Sequence, residues 1–201
     1  VGPAIVKRAA AGVLSHTKRR NHLLTEMLRR AGQSQPIFWG GAEAFTEAEK
    51  MKLLSPSLRE KFKDFTSWAA IEPIWNRFRE KAWEPSYLHW MSFLDLNLRL
   101  PELLLMRVDK MAMGVSLECR VPFLDHQFVE HALSIPERSK IRNRVSKYLL
   151  KRAVRGVIPD SLIDRRKQGF GLPLHDWFMG ELRGEARRTL ESFCSETDFF
   201  D

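Results

Sequence analysis

Residues 107–126 read "RVDKMAMGVSLECRVPFLDH", and the periodicity of the chain changes twice within them. Up to Met113 the spacing is helical. Pro101 suits the first turn of a helix, so "PELLLMRVDKMAMG" reads as one helix with Gly114 as its end. "VSLECRV" at 115–121 reads as a short extended segment. Glu118 and Arg120 alternate there, so their side chains point the same way. Pro122 then opens a second helix, "PFLDHQFVEHALSI", with Phe128, Val129, Ala132 and Leu133 on one face and Asp125 near its start. The expectation is a helix–extended–helix corner. Glu118, Arg120 and Asp125 form its inner wall, with Glu118 or Arg120 at least half buried and charge-paired. This run is the one candidate for a strand, so its reading sets the fold class: all-α, an irregular helical bundle.

The flanks agree. Gly2-Pro3 opens a helix that runs to a cap at Gly32, and "SQPIFWGG" at 34–41 is a connector carrying an apolar plug, Ile37-Phe38-Trp39. Thr46 with Glu49 is a capping-box pattern, and Ser55-Pro56 is an N-cap followed by a first-turn proline. Helical spacing places Ile74, Trp75 and Phe78 on one stripe and Tyr87, Trp90, Met91, Leu94 and Leu98 on another, as core residues. Ser146 caps "KYLLKRAV", Gly156 ends it, and Pro159 starts a one-turn helix, "DSLI". "LHDWF" and "ELRGEARRTLESF" are the final helices. Nothing alternates strand with helix, so no doubly wound sheet can be assembled from these residues.

Composition bounds the function. The 201 residues can bury a real core, and 44% hydrophobic with 29% charged is ordinary for a globular protein. The apolar runs are too short to span a bilayer. Cys119 and Cys194 form neither a disulfide framework nor a zinc site. They fit a reducing compartment, so a cytoplasmic location is expected. The chain opens on Val1 without an initiator methionine, as a piece of a longer protein would. The net charge of +8 is concentrated: residues 138–167 hold eleven Lys/Arg against two Asp, and residues 1–35 hold seven against one Glu. Such islands suit polyanions: nucleic acid, nucleotide phosphates or an acidic partner. A solvated basic helix face explains the first island better.

The second island ends in "IDRRKQGFGLPLHDW" at 163–177. Arg165, Arg166 and Lys167 run straight into Gly169-Phe170-Gly171. Either this is a solvated loop, or it is a mobile arm that delivers a cation to an anionic ligand. The chain contains no phosphate-binding loop, no dinucleotide fingerprint, no Ser/His/Asp elbow and no histidine pair spaced for a metal.

Two long motifs decide between these readings. "VDKMAMGVSLECRVPFLDH" at 108–126 resembles the pattern VDR-x-SM-A-x-SLE-x-RVPFLDH. "KYLLKRAVRGVIPDSLIDRRKQGFGLPLHDW" at 147–177 resembles K-x-LLR-A…LP-x-x-I-x-x-R-x-K-x-GF-x-x-P. Both belong to the synthetase domain of glutamine-hydrolysing asparagine synthetases. The resemblance covers residues 85–180, a motif-bearing core. Residues 1–84 look like the variable helical region just upstream of it, and 181–201 form a C-terminal tail.

The resemblance implies a fold: the C-terminal helical half of an adenine-nucleotide-hydrolase-like synthetase domain, whose parallel sheet lies upstream. It also implies a reaction. ATP adenylates the side-chain carboxylate of aspartate, and ammonia from an upstream glutaminase domain of the same chain attacks the aspartyl-AMP. Lys167 matches the family's catalytic lysine at the phosphates. Arg107, Glu118, Arg120, Asp125 and Gly169 match positions expected to bind substrate or nucleotide, and no residue is expected to ligate a metal. ATP and Mg²⁺ are expected on the full-length protein and not on this piece. Neither nucleic acid nor membrane is an expected partner, and homodimerisation stays open. The family's S-G-G-x-D-S loop, its G-x-G-x-D-E segment and its N-terminal cysteine are not among these residues, so the piece alone is expected to be inactive. Lys110 stands where Arg is frequent and keeps the charge without the bidentate fork. Cys119 stands where Ala or Val is frequent. Two alternatives remain: a related ATP-dependent amidotransferase acting on another carboxylate, and a basic helical nucleic-acid-binding module.

Overall fold

The computed structural model describes residues 22–40, 44–167 and 171–200. Their regular structure is helical. Among them, strand-type pairing is confined to the isolated bridges Leu54–Phe200, Arg142–Val145 and Arg155–Ile158. The all-α reading therefore holds, and 115–121 adds no strand to it. Two compact units divide the described residues. One holds those up to Thr46 and Ser67–Leu150. The other holds Glu47–Thr66 and those from Lys151 onward.

The first unit is built on aromatic stripes. Helix Trp68–Lys81 supplies Ile71 and Phe78, and helix Tyr87–Leu94 supplies Trp90 and Leu94. These four and Trp39 form the buried core, with Trp90 only 1% and Leu94 0% exposed. Trp75 meets Trp90 edge-on at 4.7 Å between centroids, an arrangement favoured by the ring quadrupoles. The connector is held by polar bonds as well as by its plug. Phe38 N–H donates to the Tyr87 hydroxyl (2.6 Å), and Trp90 Nε1–H donates to the Phe38 carbonyl (2.9 Å). Ile37 stays exposed, so the plug is Trp39 with partly buried Phe38.

A buried ion pair closes the other side. On helix His22–Gly32, Arg30 Nε donates to Glu26 Oε1 at 2.9 Å with both side chains buried, and Arg30 Nη1 donates to the Ile37 carbonyl. The Arg30 guanidinium also lies 3.9 Å from the Trp39 ring centroid. Burial pushes the Glu26 carboxyl up, but hydrogen bonds and charge from Arg29 and Arg30 outweigh it and hold the group below its ordinary value.

Two local readings need correction, and a third needs refining. The break expected at Pro101 does not occur: helix Tyr87–Leu94 continues as a π-helix over Asp95–Leu105 and then as helix Met106–Met113. In an α-helix the Pro101 ring would strike the Asn97 carbonyl and remove its donor. The i→i+5 winding relieves both, and Met106 N–H bonds to the Pro101 carbonyl. Second, the helices do end at Gly32 and at the C-cap Gly114 as read, but neither glycine takes the left-handed closing position. Ser34 (φ 58°) and Ser116 (φ 58°) do, two residues on. Gln35 N–H bonds to the Arg30 carbonyl and Leu117 N–H to the Ala112 carbonyl, the 6→1 bond of a Schellman closure in each case. Third, Pro122 opens only a 3₁₀ turn, Pro122–Leu124, and the α-helix begins afresh at His126 and runs to Ser134.

The second unit is organised by Ser55. Its hydroxyl caps helix Pro56–Lys61, accepting from Leu58 N–H, and donates to the Asp198 carbonyl at 2.8 Å. Ser55 N–H donates to the Phe199 carbonyl, and Ser57 Oγ bonds to the Asp198 carboxylate. Phe199 and Phe200 pack on Phe193 of helix Arg183–Glu196. The cap was readable from Ser55-Pro56, while the tie to residues 198–200 was not.

Candidate functional site

Helix Met106–Met113 carries Arg107 at its second position, exposed, with Asp109 and Lys110 behind it. After the Ser116 turn the chain runs irregularly through 117–121. Alternation there puts Cys119 and Val121 toward the helix, where they line an open groove of about 370 Å³ with Leu105, Met106, Val108 and Asp109. Glu118 and Arg120 take the other side and pair at 2.7 Å. The pairing and common direction are as expected. The burial is not: the side chains are 67% and 82% exposed, because the irregular segment has no flanking strand or helix over that side among the described residues.

Asp125 has a different place from Glu118 and Arg120. It is the N-cap of helix His126–Ser134, its Oδ1 accepting from Phe128 N–H at 3.1 Å, while Phe123 and Phe128 meet edge-on across the cap. Capping takes up one of its two carboxylate oxygens.

The basic stretch opens with a tight turn that the sequence reading missed. Arg142 and Val145 exchange both backbone hydrogen bonds around Asn143 (φ 51°) and Arg144 (φ 64°), a two-residue hairpin with both central residues left-handed. No glycine marks it. Asn143, a residue that tolerates this conformation, was the available signal. Arg142 lies 5.5 Å from the Tyr148 ring. Lys140, further back, is partly buried against His89, Glu84 and Glu137. Burial lowers its ammonium below the ordinary value and the two carboxylates partly restore it.

Helix Tyr148–Ala153 leads to Gly156 of the second unit, whose φ of +80° turns the chain back. Arg155 then reaches both acids of the stretch, Asp160 Oδ1 at 2.9 Å and Asp164 Oδ2 at 2.8 Å. Hydrogen bonds that Arg155 donates to Asp164, then to Asp160, raise the guanidinium further above its already high value. Helix Asp160–Ile163 is fixed by buried Ile163. Arg165, Arg166 and Lys167 leave from its end, all exposed. Gly169 lies outside the described residues.

A nucleoside triphosphate with its Mg²⁺ needs cationic donors for phosphate and acidic oxygens for metal. The cations fit the first need. Among the described residues no group of three or more His, Cys, Asp or Glu is placed to hold a metal ion. The described residues therefore offer no preformed cage for Mg²⁺. Among the described residues, too, no helix is long and apolar enough to cross a membrane.

The family model for asparagine synthase matches residues 7–201. The chain belongs to the asparagine synthase family. Among its relatives, "Asparagine synthetase [glutamine-hydrolyzing] 1" of Bacillus subtilis is 32% identical over 166 residues, 83% of this chain and 25% of that protein. The "Putative asparagine synthetase [glutamine-hydrolyzing]" of Mycobacterium bovis is 34% identical over 157 residues, 77% of this chain and 23% of its own length. The human "Asparagine synthetase [glutamine-hydrolyzing]" is 37% identical over 68 residues, 32% of this chain and 12% of its own. The chain thus spans about a quarter of the first two relatives' length. No solved structure matches it. Arg107, Glu118, Arg120 and Asp125 lie in the first unit and Lys167 in the second.

Proposed function

We propose that this chain is the C-terminal helical portion of a glutamine-dependent asparagine synthetase and supplies a phosphate-facing cation to its aspartate-activating site. The observation that carries the reading is the family match over residues 7–201, which includes the 165–167 run that leaves an anchored helix with Lys167 exposed.

In the proposed reaction an oxygen of the aspartate side-chain carboxylate attacks the α-phosphorus of ATP. The bond to the bridging oxygen breaks, and pyrophosphate leaves. Attack brings two anions together and then accumulates charge on the leaving group. Lys167 is in character for both problems: a compact ammonium on a long stem, exposed and preceded by two further cations. Ammonia released from glutamine then attacks the acyl carbon and loses a proton, and AMP departs. Glu118 and Arg120, alternating and exposed beside the groove, are proposed as contacts to the polar ends of aspartate or nucleotide. Arg107 and Gly169 are proposed as further contacts. In this reading ATP, Mg²⁺, the pyrophosphate loop and the glutaminase domain belong to the complete protein, in the cytoplasm.

The test is aspartate-dependent release of pyrophosphate from ATP by the complete protein. Lys167→Ala is expected to lower it by about 10²-fold, the scale of losing one charge-stabilising group, with glutamine hydrolysis nearly unchanged. Lys167→Arg is expected to restore little of it. Near-normal release by the alanine variant would remove the assignment. Release with a different carboxylate and none with aspartate would move the protein to a related amidotransferase.

A further inference from the structure

We propose that Arg155 is a positioning residue for Lys167, acting by keeping the only two acids of the 138–167 stretch engaged away from the lysine. The proposal rests on the phosphate role given to Lys167 above.

Within 138–167 there are eleven Lys/Arg, and the only acids are Asp160 and Asp164. Both contact the same guanidinium. Arg155 Nη1 meets Asp160 Oδ1 at 2.9 Å, and Nη2 meets both oxygens of Asp164, at 2.9 and 2.8 Å. The local fold brings this about. Gly156 (φ +80°) permits the reversal, Val157 and Ile158 N–H both bond to the Val154 carbonyl, and Arg155 bridges Ile158. Asp160 and Asp164 are four residues apart across the one-turn helix, so their carboxylates share a face turned to Arg155. Ile163 is buried and fixes that helix.

Single exposed ion pairs contribute little to stability. The arrangement has a different consequence here. Asp164 stands three residues before Lys167 in a non-helical bend, near enough along the chain for a loop-closing pair, and directly before Arg165. A carboxylate released there would pair with Lys167, or meet an incoming polyphosphate with like charge. A planar fork that holds two carboxylates at once removes that competitor, which a point-charge lysine does less well. The 165–167 run is thereby left as a nearly uncompensated cation cluster.

The experiment uses the complete protein, with pyrophosphate release followed against ATP concentration, and glutamine hydrolysis and thermal melting followed in parallel. Arg155→Ala is expected to reduce kcat/KM for ATP by roughly ten-fold, mainly through KM, because it weakens binding of the polyanion before the chemical step. Adding Asp160→Asn and Asp164→Asn to that variant is expected to restore kcat/KM to within about two-fold of wild type. The two asparagine changes with Arg155 intact are expected to leave it near wild type. Arg155→Lys is expected to fall between wild type and the alanine variant. A plain structural strut gives the opposite pattern. The asparagine pair would then be as slow as Arg155→Ala, and the triple variant would not recover, and either result overturns the proposal. Lys167→Ala separates the two readings. If it is slow and the triple variant fails to recover, only the Arg155 role falls. If Lys167→Ala is normal, the phosphate reading falls, and the positioning of Lys167 with it.

Discussion

The helices around Trp90 and the corner around Glu118 belong to the same unit, yet they treat their side chains in opposite ways. Trp39, Ile71, Phe78, Trp90 and Leu94 are buried against one another. From Met106 to Phe128 the large apolar residues Val108, Met111, Met113, Val115, Leu117, Val121 and Phe123 are all exposed, as are Arg107, Glu118 and Arg120. The core residues are explained by burial. The corner residues are not, although the family motif runs through them. What fixes a residue's identity in the first region is packing, and in the second it is whatever the corner meets in solution. Breaking residues in the two regions should therefore have very different effects on stability.

The largest effect is expected in the core. Trp90→Ala removes a fully buried indole, its edge-on contact with Trp75 and its hydrogen bond to the Phe38 carbonyl. A loss of about 3–5 kcal/mol in urea or thermal unfolding is expected, and Leu94→Ala should lose about 2–5 kcal/mol. A core variant that melts within a degree or two of wild type would break the comparison.

Next comes the buried pair. Glu26→Ala removes the carboxylate partner of the buried Arg30 guanidinium, and a loss of about 3 kcal/mol is expected. The pH dependence has a definite sign. The Glu26 carboxyl is held below its ordinary value of 4.5 in the folded protein. The unfolded chain therefore binds more protons in that range. The pair's contribution is complete above pH 4.5 and is lost as pH falls through the lowered folded value. Melting temperature against pH should show that acid-side decline in the wild type, and Glu26→Gln should flatten it. An unchanged slope in the glutamine variant would show that other carboxylates set the acid limit.

The same contrast governs what could be read from the sequence. Helical spacing placed Trp90, Leu94 and Phe78 because burial imposes a period, but it missed buried Ile71 and included Tyr87, which is 49% exposed. Caps carried by one side chain were legible too, as at Ser55. The misses share a cause: a local rule met by a less common solution. Glycine is the usual left-handed closer, but Ser34 and Ser116 take that position because the Schellman bonds to Arg30 and Ala112 outweigh the strain. Proline usually ends a helix, but at Pro101 the chain rewinds instead. At the candidate site, the direction of Glu118 and Arg120 followed from alternation. Their exposure could not, since alternation says nothing of what covers a face. The link from Arg155 to Asp160 and Asp164 depends on a reversal at Gly156 and has no motif of its own.

Asp125 lies between the two regions. It belongs to the corner motif, yet the fold uses its carboxylate as a helix cap. Asp125→Ala is expected to lose about 1 kcal/mol, the ordinary scale for an N-cap, and Asp125→Asn or Asp125→Ser should recover most of it. If neither substitute restores melting, the carboxylate charge matters for something beyond the cap.

The smallest effect is expected at Arg120, and it sharpens the comparison most. A half-buried pair would make Arg120→Ala strongly destabilising, because removal of one partner strands the other charge away from water. With Arg120 82% and Glu118 67% exposed, water solvates whichever partner remains, so the change in stability is expected to stay within about 0.5 kcal/mol. The double-mutant cycle with Glu118→Ala should give a coupling below about 1 kcal/mol that shrinks further in salt. In the complete protein the same substitution is expected to lower aspartate-dependent pyrophosphate release while melting is unmoved. That separation of activity from stability distinguishes a ligand-facing residue from a structural one. Arg120→Ala that melts well below wild type would mean that the corner is covered in solution. Arg120→Ala with unchanged melting and unchanged release would leave the pair as surface decoration.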